Sequence, residues 1–215
     1  MKTVEVVAVT CRRLAEHAEA VARTVAALPF PARGHLVERD LWRLADFNRF
    51  MVSELPAHVG ADFALTVHWD GFGLSKRNWT DEFLEYDWVG APWPRWISPA
   101  HRVGNGGLSL RSRAWMERAR ELGNPCGRAE DYWQCAENAA HFAGLRVAPL
   151  ELAARFAVEN PMPELGGWRL EDSWGFHDFT FPGAERHRLR PATSYERWRA
   201  VARRANNAVR NMVAK

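Results

Sequence analysis

Strand-like and helix-like segments alternate along the first 67 residues of the chain. Residues 4–9 form a run rich in β-branched side chains, and residues 34–39 and 63–67 are further short strand candidates. Between them, residues 12–28 and 44–55 carry apolar side chains at helical spacing and end at prolines. A strand–helix–strand–helix–strand order predicts a mostly parallel sheet with helices on its faces, which is an α/β fold.

Composition narrows the class of protein. The chain has 215 residues, 47% of them hydrophobic and 26% charged, which is typical of a globular domain rather than a disordered chain. Its apolar runs are far shorter than the ~20 residues of a membrane helix, and Glu5 interrupts any signal-peptide pattern. Three cysteines, Cys11, Cys126 and Cys135, without a C-x-x-C pair predict reduced thiols. We therefore expect a cytoplasmic protein without a transmembrane segment.

Positive charge is concentrated in residues 186–215. This segment holds nine Lys or Arg and one acid, so it carries +8 while the rest carries −5. From Thr193 onward the pattern predicts an amphipathic helix, so we divide the chain into a domain of residues 1–185 and a basic extension of residues 186–215. Its arginines are either a solvated face or a contact for a nucleic acid or a membrane surface. The candidate nucleic-acid contacts are Arg197, Arg199, Arg203 and Arg204.

Residues 70–112 are rich in Gly, Pro and Trp, and long irregular stretches of this kind are usually functional. Trp93 and Trp96 lie among prolines and are predicted to form an exposed platform for sugar rings or bases, whereas Trp88 is predicted to be buried. Further along the chain, the pattern predicts secondary structure in four segments. These are helices over 112–122, 129–142 and 151–156 and a strand over 145–148.

The first candidate for chemistry is Asp70, which follows the third predicted strand and precedes Gly71. Ligands of open α/β sheets bind at the carboxyl ends of strands, and a carboxylate there can hold a divalent cation. The alternative is an ordinary Asp-Gly turn. His177 is a functional candidate only if it shares a site with Asp70, where it could be a nitrogen ligand to a metal such as Mn²⁺.

Two other segments could carry chemistry. Gly104, Gly106 and Gly107 permit positive φ and close backbone approach to a ligand, although the segment matches neither the Walker nor the dinucleotide fingerprint. The alternative for this segment is a flexible loop. Glu130 and Asp131 begin a predicted helix, where they are either a capping pair or contain a general base.

In this order the motifs resemble a bacterial family of unknown function that is itself similar to glycosyltransferases of the GT-A fold and often accompanies polysaccharide loci. The resemblance extends over roughly residues 1–180. The motifs that carry it are Trp69-Asp70-Gly71-Phe72, residues 81–93 (DEFLEYDWVGAPW), residues 103–113 (VGNGGLSLRSR), Glu130-Asp131 and Gly175-Phe176-His177.

The resemblance implies a GT-A-like fold and a set of site residues. Asp70 and His177 would bind Mn²⁺ or Mg²⁺. The Asp-x-Asp motif of such enzymes reads His68-Trp69-Asp70 here, so its first Asp is missing. Asp131 or Glu130 would deprotonate the acceptor hydroxyl. The residues expected to line the donor and acceptor sites are Thr10, Trp69, Gly71, Trp93, Asn105, Gly106, Gly107, Ser109 and Arg111.

The implied activity is transfer of a hexose from a nucleotide-sugar, with a UDP-sugar favoured, and inversion of the anomeric configuration if one base acts directly. The acceptor would be a glycan or, given the basic extension, a modified base in DNA. Two alternatives stay open: a non-catalytic module that binds glycans or nucleic acid, and a nucleotide-sugar hydrolase. Transfer needs an acceptor, hydrolysis does not, and a binding module releases no nucleotide.

Overall fold

The computed structural model describes residues 2–10, 12–41, 43–123, 127–166 and 168–189. Its strands are β1 (Val4–Thr10), β2 (Arg33–Glu38), β3 (Phe63–Val67), β4 (Gly71–Gly73), β5 (Trp88–Gly90), β6 (Leu108–Ser112), β7 (Ala157–Val158) and β8 (Gly175–His177). Its α-helices are α1 (Leu14–Ala26), α2 (Leu44–Ser53), α3 (Arg113–Leu122), α4 (Glu130–Tyr132) and α5 (Leu150–Phe156). A π-helix, Trp133–Glu137, continues α4, and short 3₁₀ segments connect several of the other elements.

The main sheet has five strands in the order β2-β1-β3-β6-β5. β1 is parallel to both β2 and β3, which confirms the prediction for the first 67 residues. β6 runs antiparallel to β3 and to β5, so the sheet is mixed, as in the predicted α/β class. β6 was not predicted, because its Ser and Arg side chains follow a glycine segment typical of a loop. All five of its residues are nevertheless buried.

Both faces of β1 are covered, which explains its continuous apolar run. Val6 and Ala8 face a large core that includes residues of α1, and Val7 and Val9 face a smaller core that includes residues of α2 and α3. The sheet is therefore a layer between helices, and its inner strands are held rigidly by packing on two sides.

A second sheet of three strands, in the order β4-β8-β7, places the candidate site. The chain turns from β3 into β4 through a tight hairpin, in which His68 and Gly71 exchange backbone hydrogen bonds of 2.9 and 3.1 Å. β8 pairs antiparallel with β4, and this register sets Gly71 opposite His177. The tip of the hairpin, Trp69 and Asp70, therefore lies next to a residue from the far end of the domain.

The prediction of one continuous helix over 129–142 is wrong, because the segment is divided into three shorter helical elements. The segment is α4, then the π-helix, then a 3₁₀ turn at Ala139–Phe142. The predicted strand over 145–148 is also wrong, because Val147 makes only an isolated bridge to Trp88. A π-helix is rare and adds one residue to the turn, so the apolar period of a straight helix could not reveal it.

Some predictions fall on parts of the chain that the structure does not describe. The basic helix, with Arg197, Arg199, Arg203 and Arg204, lies outside the described residues, as do Cys11 and Cys126. Cys135 is a buried free thiol, as expected. Within the described ranges, every helix is too short or too polar to cross a membrane.

Candidate functional site

The candidate site lies at the carboxyl end of β3, where the sequence analysis expected a ligand. Three side chains converge there: His68 at the end of β3, Asp70 at the hairpin tip and His177 at the end of β8. One potential ligand atom from each lies within 4.8 Å of the others, and the distance between Asp70 Oδ1 and His177 Nε2 is 3.9 Å. The β4–β8 pairing brings these residues together.

This trio suits a divalent cation. Asp70 Oδ1 is buried, and it accepts no hydrogen bond from the part of the chain that the structure describes. Buried carboxylate oxygens are rarely left without a partner, so an unpaired one beside two imidazoles fits a cation. His68 occupies the place of the missing first Asp. His68 was not predicted as a ligand, because a histidine at that position was taken only as the loss of a carboxylate.

The protonation of the two histidines differs. Burial lowers the pKa of His68 well below its usual value, and repulsion from His177 lowers it further. Burial also lowers the pKa of His177, but the hydrogen bond and charge of Glu159, together with the charges of Asp70 and Asp131, outweigh it, so the net pKa is raised. Burial raises the pKa of Asp70, and the charge of His177 partly offsets this.

Glu159 orients His177 from behind. Its Oε1 lies 3.1 Å from His177 Nδ1, so that with a proton on Nδ1 the Nε2 lone pair faces Asp70. Its other oxygen, Oε2, accepts a hydrogen bond of 2.9 Å from Asn105 Nδ2. A carboxylate behind a histidine is a common arrangement at metal sites. This position of Glu159, directly after β7, was not predicted from the sequence.

The glycines of residues 104–107 are needed for space. A Cβ at Gly107 would lie 2.1 Å from His177 Nε2, and a Cβ at Gly106 would lie 2.6 Å from Glu130 Oε1. The described glycines with left-handed backbone are elsewhere in the chain, so the expectation of positive φ here is wrong. Gly71 is also needed for space, because a Cβ added there would lie 2.8 Å from Gly107 O.

Beneath the glycine loop lies a buried polar network. Arg111 donates to both oxygens of Glu130, at 2.7 and 2.9 Å, and its Nε donates to Ser109 Oγ at 2.9 Å. Gln134 Nε2 donates a further bond of 2.5 Å to Glu130 Oε2. Glu130 is 4% exposed and Arg111 only 1%, so both groups are committed to each other rather than to a ligand.

Asp131 has a different environment from its neighbour. Its Oδ2 accepts a hydrogen bond of 2.8 Å from Gly106 N, and its Oδ1 accepts one of 2.7 Å from Tyr132 N. Burial, followed by the charge of Glu130, raises the pKa of Asp131 to about 6. Two adjacent carboxylates with different surroundings are the arrangement in which one is structural and the other can exchange a proton.

The other predicted residues are placed as follows. Thr10 Oγ1 donates to Arg12 O, so this side chain closes the turn after β1. Trp69 is half-buried and packs 5.6 Å from Phe179, ring centroid to ring centroid. Trp88 is buried, as the sequence predicted.

Trp93 corrects an expectation. It is 4% exposed and packs against Tyr132, so it cannot be an exposed platform. A Cβ at Gly104 would lie 2.3 Å from its ring, which shows how closely the loop covers it. Trp96, in contrast, is 79% exposed. A sequence in which prolines and tryptophans lie close together does not show which tryptophan the folded chain buries.

Three solved structures that match the chain are described as glycosyltransferases or as a mutant of one. A glycosyltransferase involved in glycosylation of the major capsid of PBCV-1 matches with a TM-score of 0.55 and 12% identity, covering 93% of this chain and 98% of that chain. The galactosyltransferase LgtC, in complex with donor and acceptor sugar analogues, gives 0.49 and 13%, covering 92% and 99%. An active-site mutant of LgtC gives 0.48 and 15%, covering 92% and 95%. The match to the first of these structures shows that this chain has a fold like that of GT-A glycosyltransferases.

Comparison by sequence gives a family rather than an activity. No curated protein matches the chain. A family profile described as "Protein of unknown function (DUF5672)" matches residues 38–177, a stretch that runs from the end of β2 to the end of β8. That stretch is more than half of the chain and contains His68, Asp70, the glycine loop, Asp131 and His177. The chain therefore belongs to the DUF5672 family.

Proposed function

We propose that this protein is a metal-dependent glycosyltransferase that moves a sugar from a nucleotide-sugar, with UDP-sugars favoured, to an acceptor hydroxyl. One observation carries the proposal: the cation-suited trio and the carboxylate of Asp131 flank the same glycine loop. Gly107 packs on His177, and Gly106 N–H binds Asp131. The proposed metal site, which would neutralise the leaving phosphate, and the proposed base Asp131 thus lie against adjacent residues of the loop. The fold that holds them is similar to that of a glycosyltransferase.

In the proposal, His68, Asp70 and His177 hold the cation. Two imidazoles and one carboxylate favour Mn²⁺ over Mg²⁺, which prefers oxygen ligands. A cation bound there would neutralise the negative charge that develops on the nucleoside diphosphate as it leaves. Glu159 keeps His177 in the orientation that turns Nε2 towards Asp70, and Asn105 anchors Glu159.

Asp131 is the proposed general base, and Glu130 is assigned to the support of Arg111 instead. With a pKa of about 6, Asp131 is mainly ionised at neutral pH and still basic enough to accept a proton from an acceptor hydroxyl. Gly106 N–H fixes the direction of the carboxylate. Direct attack by the deprotonated hydroxyl inverts the anomeric centre, so an inverting reaction is part of the proposal.

The remaining predicted residues divide into two groups. Thr10 ends β1, Trp69 lies in the turn after β3 and Gly71 begins β4, and these three are proposed to border the donor. Ser109 and Arg111 lie under the loop, are both buried, and are proposed to support it without touching the sugar.

For the acceptor we propose a glycan hydroxyl. A modified base in DNA is the second candidate, and it rests only on the basic composition of residues 186–215. If the full chain binds duplex DNA, log affinity should fall with log salt concentration at about −0.9 per phosphate contacted. Failure of the protein to be retained on DNA at low salt would end that candidate.

The decisive experiment is thermal unfolding of the full chain with UDP-, GDP-, CMP- and dTDP-sugars, each with and without Mn²⁺. A donor at 100 times its dissociation constant adds about 2.7 kcal/mol, which at this size raises the melting temperature by about 5–10 °C. We expect a rise for one nucleotide class that requires Mn²⁺ and disappears in Asp70→Ala. If no donor raises the melting temperature, the transferase proposal is wrong and a non-catalytic module takes its place. Release of nucleotide at an undiminished rate without acceptor would indicate a hydrolase.

A further inference from the structure

Arg13 has an unusual backbone conformation. It lies just before α1 with φ 51° and ψ 41°, in the left-handed region. Among the described residues, only Arg13 and Asp178 combine a side chain beyond Cβ with a positive φ. Asp is tolerated there, and Asp178 Oδ1 accepts a local hydrogen bond of 3.0 Å from Thr180 N. Arginine is disfavoured in this region because its Cβ crowds a carbonyl oxygen.

Both left-handed residues border the candidate site. Asp178 N–H donates a 2.8 Å hydrogen bond to Asp70 O. The Arg13 guanidinium lies 4.0 Å from the centre of the Trp69 ring, and Trp69 is the neighbour of Asp70 at the hairpin tip. Disfavoured backbone conformations that persist in a fold tend to occur where function requires them.

The Arg13 side chain is stacked on Trp69 and has one long ion pair. Its charged neighbour is Glu16, at 3.9 Å from Nη1, and the Arg13 side chain is 52% exposed. Within the described part of the chain the guanidinium makes no hydrogen bond to the protein, although the indole fixes one of its faces. Such stacking orients the plane of the guanidinium and leaves the N–H groups on its edge free for an anion.

We infer that Arg13 binds the diphosphate of the nucleotide-sugar donor. The inference rests on the proposed function, which supplies the nucleotide. A guanidinium can donate two parallel hydrogen bonds to phosphate oxygens, an interaction stronger than that of neutral donors. Arg13 would then bind the same diphosphate as the cation at Asp70, from the side of Trp69. It would recognise the phosphates and not the base or the sugar.

The test uses Arg13→Gly in the full chain. Glycine accepts the left-handed conformation without strain, so the variant should melt no lower than wild type while it lacks the guanidinium. Affinities are measured by calorimetry for UDP, GDP and dTDP, each with Mn²⁺, and for uridine, guanosine and thymidine. Arg23→Ala is the matched control, since it removes the same charge from the far end of α1, where Arg23 pairs with Glu19.

We expect Arg13→Gly to weaken binding of the preferred diphosphate at least ~10-fold, about 1.4 kcal/mol, and to leave binding of the nucleoside and of Mn²⁺ alone unchanged. Arg23→Ala should bind like wild type. Equal diphosphate affinity in Arg13→Gly and wild type would overturn the inference, as would an equal loss for nucleoside and diphosphate. If wild type binds none of the diphosphates, the transferase proposal itself fails, whereas normal wild-type binding with an unaffected variant removes only the role of Arg13.

Discussion

Arg111 and Glu130 form a buried ion pair with two short contacts, 2.7 and 2.9 Å, directly beneath the glycine loop. The Arg111 guanidinium also lies 4.3 Å from the centre of the Trp88 ring. Both charges are almost completely removed from water, so each depends on the other. This pair gives the two adjacent acids different environments, because it engages Glu130 and leaves Asp131 beside the loop backbone.

Glu130→Gln should destabilise the fold. The substitution leaves the Arg111 charge buried without an ionic partner, which costs about 3–5 kcal/mol in comparable pairs. Chemical denaturation of both proteins measures the effect as a fall in the unfolding midpoint. Asp131→Asn is the matched control, because it changes the neighbouring acid in the same way. An unchanged midpoint for Glu130→Gln would show that the pair does not stabilise the loop.

Asp131→Asn should remove activity and keep the fold. If Asp131 is the general base, as proposed, it is essential to turnover, and we expect kcat to fall by at least ~100-fold, about 2.7 kcal/mol of barrier. Wild-type turnover should also decline as pH falls below about 6, where the carboxyl becomes protonated. Turnover within a few-fold of wild type would remove Asp131 from the mechanism.

The stability of wild type should depend on pH through Asp131, and Asp131→Asn should lack this dependence. Asp131 has its pKa raised from 3.8 to about 6, so the folded state favours the neutral acid. Wild type therefore loses stability as pH rises from about 4 through 6, and an Asn at this position does not. Asp131→Asn should match wild type below pH ~4 and exceed it above pH ~6, by up to about 3 kcal/mol. Glu130, Arg111 and Cys135 face Asp131 and stay unchanged in this comparison. Parallel stability curves across this range would contradict the raised pKa.

Asp70→Ala should abolish Mn²⁺ binding without harming the fold. Asp70 Oδ1 is buried and lacks a hydrogen-bond partner among the described residues, so its loss leaves few protein contacts unmade. We expect turnover to drop at least ~100-fold, about 2.7 kcal/mol, and the melting temperature without metal to stay level or rise. Electron paramagnetic resonance of free Mn²⁺ reports the loss of binding directly. Retained stoichiometric Mn²⁺ binding in this variant would place the metal elsewhere.

Gly107→Ala should disturb the position of His177. The added Cβ would lie 2.1 Å from His177 Nε2, so the ring must move away from Asp70. Mn²⁺ affinity should fall at least ~10-fold, about 1.4 kcal/mol. Gly60→Ala is the control, because its Cβ would lie 3.8 Å from Glu5 Oε2, an ordinary contact. If Gly107→Ala binds Mn²⁺ as wild type does, His177 is not a ligand.

Two tryptophans near the loop should respond differently to truncation. Trp93 is buried, so Trp93→Ala should cost about 3–5 kcal/mol of stability. Trp96 is 79% exposed, so Trp96→Ala should change stability by less than ~0.5 kcal/mol. If Trp96 stacks on acceptor sugars, its loss should raise the KM for acceptor and leave the KM for donor unchanged. Denaturation curves and acceptor titrations test the pair together.

The first 67 residues could be predicted well because each of their elements is specified locally. The β-branched run of β1 and the apolar spacing of α1 and α2 depend on neighbours within a few residues. The short strands β4, β7 and β8 could not be predicted, since two or three residues carry no period. They exist because distant segments supply hydrogen-bond partners.

At the site, the residue types were evident from the sequence: a carboxylate after a strand, a glycine segment, an acid pair and a late histidine. Local chemistry limits what such residues can bind, so the α/β class and the candidates for metal and base could be predicted from the residues alone. Their arrangement in space could not be predicted from these residue types. The pairing of β4 with β8 brought His177 beside Asp70 and made His68 a third candidate ligand, while burial with Arg111 set Glu130 apart from Asp131. This arrangement depends on distance and desolvation, which arise only when segments far apart in the chain pack together.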